Sequence, residues 1–221
     1  IFSSSATIYG SPEILPISEE HRFEALNPYG SSKIDTEFFF SDIAKNDNTF
    51  SCIALRYFNP IGAHYSSLIG DNPTGIPNNI IPYLCQVASG ILDYFPIYGD
   101  DYETRDGTAI RDYIHIIDLV DGHLAALEYL DDNKGFKAIN LGTGIGVTVK
   151  ELLHRFQVIN KVNITSKIMQ RREGDAFAVY ADPSLAYNLI SWKARYGLDD
   201  MVKDSWNFYV AFLRQGIVGE K

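Results

Sequence analysis

Ser3-Ser4-Ser5-Ala6-Thr7-Ile8-Tyr9-Gly10, followed by Asn27-Pro28-Tyr29-Gly30-Ser31-Ser32-Lys33, decides how this chain is read. The first stretch sets a serine cluster at the end of an apolar run. The second sets a Tyr-x-x-x-Lys pair at a helix start. A four-residue step puts Tyr29 and Lys33 on one helix face. Asn27 suits the N-cap, and Pro28 suits the first helical position, where a missing N–H costs nothing. The phenol then sits in the first turn, near the positive end of the helix dipole, with an ammonium one turn on. Both effects favour phenolate and lower a pKa that is about 10 when unperturbed. A phenol so tuned acts as a base near neutral pH, with Ser5 relaying the proton or holding a substrate hydroxyl. Alone, the same pair reads more readily as an exposed helix start.

Outward from this point, helices and strands alternate. A helix is expected from Pro28 to about Lys45, interrupted by the aromatic run Phe38-Phe39-Phe40, and a buried strand from Ser51 to Tyr57. Gly, Pro, Ser and Asn residues mark a long loop over 61–75, of the kind that carries function. A helix follows over Pro77–Ile91, then strands at Tyr94–Tyr98 and Arg111–His115 around a polar loop. Asp118 is read as opening a helix whose Val120, Leu124, Leu127 and Leu130 form an apolar stripe. Lys137–Leu141 reads as a strand, Thr148–Val158 as a helix and Ile164–Met169 as a strand, and an amphipathic helix from Asp199 to about Leu213 closes the pattern. Such alternation implies an α/β fold: a mainly parallel sheet with helices on both faces, plus a smaller α/β lobe.

With 46% hydrophobic and 21% charged residues over 221 positions, the chain is able to bury a sizeable core. Its net charge of −9 argues against nucleic acid as a partner, and an anionic ligand would need a local arginine cluster. No apolar run approaches the roughly 18 residues of a membrane span. Cys52 and Cys85 lack zinc or redox spacing, and the five histidines form no ligand pattern, so no metal is expected. Two buried free thiols in a reducing, cytoplasmic compartment are the expectation.

Leu141-Gly142-Thr143-Gly144-Ile145-Gly146 follows a strand, as a dinucleotide loop should. The pattern G-x-G-x-x-G needs a glycine where Val147 stands, and Lys167 occupies the place of the ribose-binding acid. The turn is therefore read as structural.

Further runs give the resemblance: Arg56-Tyr57-Phe58-Asn59-Pro60-Ile61-Gly62-Ala63-His64, Gly75-Ile76-Pro77-Asn78-Asn79, Arg111-Asp112-Tyr113-Ile114-His115 and Arg171-Arg172-Glu173-Gly174-Asp175. With the opening blocks, they resemble the UDP-glucose 4-epimerase family, in the extended branch of the short-chain dehydrogenases/reductases, from Phe2 to about Trp206. The resemblance implies a partial Rossmann-like doubly wound parallel sheet with a smaller α/β substrate-binding lobe. Residues 1–75 would be the remainder of the NAD-binding domain. Residues 76–221 would be mainly the UDP-sugar lobe, with about 111–141 returning to the first domain. Since that family carries a Gly-rich half upstream, the chain is expected to be a fragment, inactive alone, of a homodimeric parent.

The resemblance also assigns roles. Tyr29 would be the catalytic base, Lys33 would bind the nicotinamide ribose, Ser5 would contact the sugar's 4-hydroxyl, and Tyr57 and Phe58 would flank the nicotinamide of NAD. Asn59, Asn79 and Ile80 would meet the UDP-hexose, and Arg111 and Arg172 would hold its pyrophosphate, a task that suits paired guanidinium donors. Asp175 would accept from ribose hydroxyls, and Pro96-Ile97-Tyr98 would frame the uracil. Val179, fourth after Asp175, would line the sugar pocket, and a one-residue slip would put Tyr180 there instead. A small residue at that place implies acceptance of N-acetylhexosamines. Two other readings stay open at this stage. A nucleotide-sugar 4,6-dehydratase resembles a pattern with Asp-Glu where this chain has Ala6-Thr7. A non-catalytic truncated remnant is the third.

Overall fold

The computed structural model describes residues 1–216 apart from Glu173. In chain order the strands are β1 Phe2–Ser3, β2 Ser51–Tyr57, β3 Asn59–Ile61, β4 Phe95–Tyr98, β5 Ile110–His115, β6 Gly135–Leu141, β7 Gly146–Thr148, β8 Ser166–Met169 and β9 Ala178–Val179. The helices are α1 Pro28–Asn46, α2 Ile80–Ala88, α3 Ile116–Asp132, α4 Val149–Asn160, α5 Ser184–Ile190 and α6 Leu198–Arg214. β1, β2 and β6 form a parallel sheet in that order, with Phe2 opposite Ala54 and Leu55 opposite Ile139. β5 centres a second sheet, parallel to β3 and β9 and antiparallel to β7, while β4 pairs in parallel with β8.

Strand alternation explains the layering. Ile53 and Leu55 of β2 point to one face, where they pack with Leu119 and Ala126 of α3 and Ala186 and Ile190 of α5. Arg56 points to the other face and meets Glu37 of α1. The first sheet is thus covered on both faces, as an α/β fold requires. A second core holds Leu84, Phe95, Ile97, Leu152, Phe156, Met201 and Tyr209, joining α2, α4 and α6 to the smaller sheets. Phe156 is fully buried there, and its truncation to alanine would cost about 3–5 kcal/mol.

Several local expectations need correction. Helix α1 runs unbroken through Phe38-Phe39-Phe40. The aromatic run costs only a little helix propensity, and Phe40 is held between Phe2 and Phe50. Helix α2 starts at Ile80 rather than Pro77, with Asn79 as its N-cap. Helix α3 starts two residues before Asp118, because the His115 ring accepts a hydrogen bond from the Ile117 N–H and caps it. Its expected stripe faces inward only at Leu130, which packs against the Ile53–Leu55 core. Val120, Leu124 and Leu127 are about half exposed, whereas Asp118, Leu119, Gly122 and Ala126 are buried. The inward face is narrow because Gly122 lies against Leu141 and Trp192, leaving no room for a side chain.

The glycine turn after β6 is structural, as read. Thr143 N, Thr143 Oγ1, Gly144 N and Ala181 N all donate to the buried Asp112 carboxylate, at 2.6–3.1 Å. The N–H groups that a dinucleotide loop would offer to pyrophosphate are committed here to a side chain. A Cβ at Gly142 would come within 2.6 Å of that carboxylate, so only glycine fits.

Candidate active site

Ser5 caps a short 3-10 turn, Ala6–Tyr9. Its Oγ accepts from Thr7 N at 3.2 Å and from Thr7 Oγ1 at 3.0 Å. With both acceptor positions used, its own O–H is left to donate outward. Across from this turn, α1 begins as its sequence dictates: Asn27 Oδ1 accepts from Gly30 N at 2.8 Å, and Pro28 holds the first position. Gly30 lies so close to the Thr7 carbonyl that a Cβ would meet it at 2.9 Å. That closeness lets the helix start abut the strand end.

Tyr29 stands in the first turn with 52% of its surface exposed. The Lys33 ammonium lies 5.2 Å from the Tyr29 ring centroid and 5.1 Å from that of Phe2, and donates to Ser3 O at 2.9 Å. The pair shares one face, as the spacing predicts.

From Ser5 a cleft runs toward β4. Its first section, about 200 Å³, is lined by Ser5, Thr7, Tyr57, Phe58, Asn59 and Val179, with Arg111 and Asp175 at its end. The next section, about 240 Å³, shares Asn59, Arg111 and Asp175 and adds Asn79, Ile80, Pro96, Tyr98 and Arg172. Residues separated by more than a hundred positions are brought together because β3, β5 and β9 lie side by side. Tyr29 and Lys33 lie outside these two linings.

Arg111 is largely fixed by protein contacts. It donates to Ile110 O at 2.8 Å, Ala176 O at 2.9 Å and Asp175 Oδ1 at 2.9 Å. Arg172 stacks on Tyr98, 3.8 Å from the ring centroid, and makes no ion pair among the described residues. Glu173 of the same run lies outside the described residues.

The strand register answers the question of the one-residue slip. Val179 pairs with Arg111 and lines the cleft, whereas the Tyr180 ring lies against Gly146. Ile97 is corrected: its side chain is buried in the second core, and Pro96 and Tyr98 line the cleft instead.

Tyr113 was missed. It follows Arg111 by two on β5, pairs with Asn59, and lines the second section at 3% exposure. Burial pushes its phenol up to about 12, with Arg111 pulling down and Asp175 up. Period-two alternation from Arg111 was the signal that would have found it. Asn78, Tyr83 and Thr7 also line the cleft, without having been expected.

A larger cavity of about 720 Å³, between α5 and the start of α6, is lined by Tyr187, Trp192 and Tyr196 and by none of the expected site residues. Among the described residues no group of His, Cys, Asp and Glu is arranged to hold a metal ion, and no helix is long and apolar enough to cross a membrane.

The sequence model of the family described as GDP-mannose 4,6 dehydratase matches residues 1–205. A UDP-glucose 4-epimerase of Pasteurella multocida is 49% identical over 209 residues, covering 94% of this chain and 62% of that protein. The chain therefore spans about 62% of the length of that curated relative. Among solved structures, the Stenotrophomonas maltophila UDP-glucose-4-epimerase with bound NAD and formylated UDP-arabinopyranose superposes with a TM-score of 0.95. It shares 43% identity, over 97% of this chain and 64% of that one. The Bifidobacterium longum UDP-glucose 4-epimerase in complex with NAD+ and UDP gives a TM-score of 0.91 at 45% identity, over 95% of this chain and 63% of that one.

Proposed function

Since the chain belongs to the GDP-mannose 4,6 dehydratase family, we propose that it provides the catalytic corner and the nucleotide-sugar cleft of an NAD-dependent UDP-glucose 4-epimerase. The observation that carries this reading is the single cleft that joins Ser5 to Asn59, Arg111, Asp175 and Arg172. A hydroxyl donor and guanidinium groups line the same cleft, the chemistry that a sugar on a diphosphate requires. The dehydratase alternative needs an acid–base pair after Ser5. Ala6 is buried and apolar there, and Thr7 is occupied with Ser5.

In this reading Arg111 and Arg172 hold the pyrophosphate, and Pro96 and Tyr98 frame the uracil. Tyr29 takes the proton from the sugar's 4-hydroxyl, and Ser5 donates to the same oxygen as it becomes a carbonyl. A bound NAD would supply the hydride acceptor and donor for C4. The link of a 4-keto sugar to the clamped diphosphate would leave the sugar free to turn and present its other face. Binding energy is placed away from the reacting carbon. Tyr57 and Phe58 suit the nicotinamide end of the cofactor, and Lys33 its ribose. Its pyrophosphate finds no cradle among the described residues, since the glycine turn serves Asp112. Turnover is therefore tested in a completed enzyme, this chain joined to the glycine-rich dinucleotide segment of a relative. UDP-galactose should yield UDP-glucose there, and no conversion at any cofactor concentration would refute the reading.

Val179 leaves the sugar end of the cleft open, and we extend the proposal to UDP-GlcNAc and UDP-GalNAc. A cytoplasmic, homodimeric enzyme is the setting that the resemblance suggests.

A further inference from the structure

Behind the Ser5–Tyr29–Lys33 corner lies a buried ion pair that takes no part in the chemistry above. Glu37 is one of only two buried residues of α1, with Gly30, and is 2% exposed. It accepts from Ser4 Oγ at 2.5 Å, from Arg56 Nε at 3.0 and 3.2 Å, and from the Arg56 terminal nitrogen at 2.5 Å. The remaining Arg56 nitrogen reaches Tyr9 Oη and Glu19 O, both at 3.0 Å, and Tyr9 in turn donates to Asn140 at 2.7 Å. One network thus ties α1 to Ser4, the residue that follows β1, and to β2 and β6.

Such a pair is a poor source of stability. Its desolvation cost rivals its attraction, and apolar residues of similar volume often serve as well or better. What it supplies is register. The fully buried positions of helix α1 are a glycine and a carboxylate, and its apolar contacts are few, chiefly Ile34 on the Ile8–Tyr9 cluster and Phe40 on Phe2 and Phe50. Hydrophobic packing therefore sets its axial position less firmly than a continuous apolar stripe would. Tyr29, Lys33 and Glu37 recur every four residues on one face. Lys33 holds Ser3 O, Glu37 holds Ser4 Oγ, and Ser5 is the next residue along. We propose that Glu37, through Ser4 and Arg56, is a positioning residue that sets the register of α1 against β1 and thereby places Tyr29 and Lys33 for reaction at Ser5. This rests on the assignment of Tyr29 and Ser5 to the chemistry.

The test replaces the pair by an apolar one of similar volume, Glu37→Leu with Arg56→Met. A register device predicts that the variant stays folded and keeps its affinity for UDP, whose contacts lie elsewhere. In the chain itself, the nuclear Overhauser contact between the Lys33 ε-protons and the Phe2 ring should weaken or vanish. In the completed enzyme kcat should fall about 10- to 100-fold with KM for UDP-galactose nearly unchanged, as a misplacement of about 1 Å would give. A variant that retains both the Lys33–Phe2 contact and kcat within about twofold overturns the proposal. Should the double variant fail to fold, Ser4→Ala decides. It removes one contact of the network and should lower kcat severalfold without changing KM, and an unchanged kcat is again contrary. Tyr29→Phe runs alongside. If that variant keeps normal kcat, the catalytic assignment fails, while the Overhauser contact still judges the register.

Discussion

At the guanidinium end of the cleft, Arg111 is held by two carbonyls and Asp175, and the Arg172 guanidinium lies over the Tyr98 ring, 3.8 Å from its centroid. At the other end, Tyr29 is half exposed, and its position depends on the seating of one helix against a two-residue strand. The two ends are built by different means. The proposed diphosphate end combines Arg111, fixed by the register of neighbouring strands in one sheet, with Arg172 on a loop against Tyr98 of another. The proposed catalytic end is fixed by side chains, namely Lys33 on Ser3 and Glu37 on Ser4 and Arg56. On the proposed reading, recognition is preformed within this chain and catalysis depends on alignment.

The largest effect should come at the catalytic end. Tyr29→Phe in the completed enzyme should lower kcat by roughly 10²–10⁴-fold, the scale of a lost general base, and leave UDP affinity unchanged. A parallel loss of UDP binding would break the separation of the two ends. Next is the middle of the cleft. Val179→Tyr should remove conversion of UDP-GlcNAc, by about 10²-fold in kcat/KM, while sparing UDP-glucose, because a filled pocket clashes with only one substrate. Equal losses for both sugars would show that Val179 is no gate.

How far these ends were legible in the sequence differs for the same reason. Asn27, Pro28, Tyr29 and Lys33 act within the first two helical turns, so spacing alone places them. The proposed diphosphate end needed the strand pairing that sets Arg111 and the approach of the 171–175 loop to β4, which local spacing does not carry, and it was reached by resemblance. Tyr113 was overlooked there, and Pro96-Ile97-Tyr98 was expected as one segment, whereas the Ile97 side chain turns into the core. In α3 the apolar stripe was visible but its outward direction was not, because the close packing of Gly122 on Leu141 and Trp192 chooses the buried face. Burial of Glu37 had no local signal at all, since its partners come from strands before and after it.

The smallest effect concerns the framework that carries both ends. His115 is buried, with Nδ1 accepting from Ile117 N and Nε2 3.4 Å from Asp204. Burial holds its pKa below the ordinary histidine value, against the pull of Asp204, Asp118 and Asp200. The unfolded chain then binds a proton more readily than the folded one. His115 stabilisation is complete above about pH 6.5 and is lost as pH falls through the lower folded value. Asp112 and Glu19, raised by burial, act in the opposite sense in the acid range, so the variant must be compared with the parent at each pH. Thermal melts from pH 7.5 to 5 should show a smaller acid loss in His115→Gln than in the parent. Equal losses would remove His115 from the account.

The claim that one end is preformed and the other is not is tested most directly by calorimetric titration of the 221-residue chain with UDP and with NAD+. UDP should bind saturably, and Arg172→Ala should weaken it by about 10-fold or more, as expected for a lost charge-assisted contact of about 1.5–3 kcal/mol. NAD+ should give no saturable heat. Tight binding of NAD+, or UDP binding that is absent or indifferent to Arg172, would contradict it.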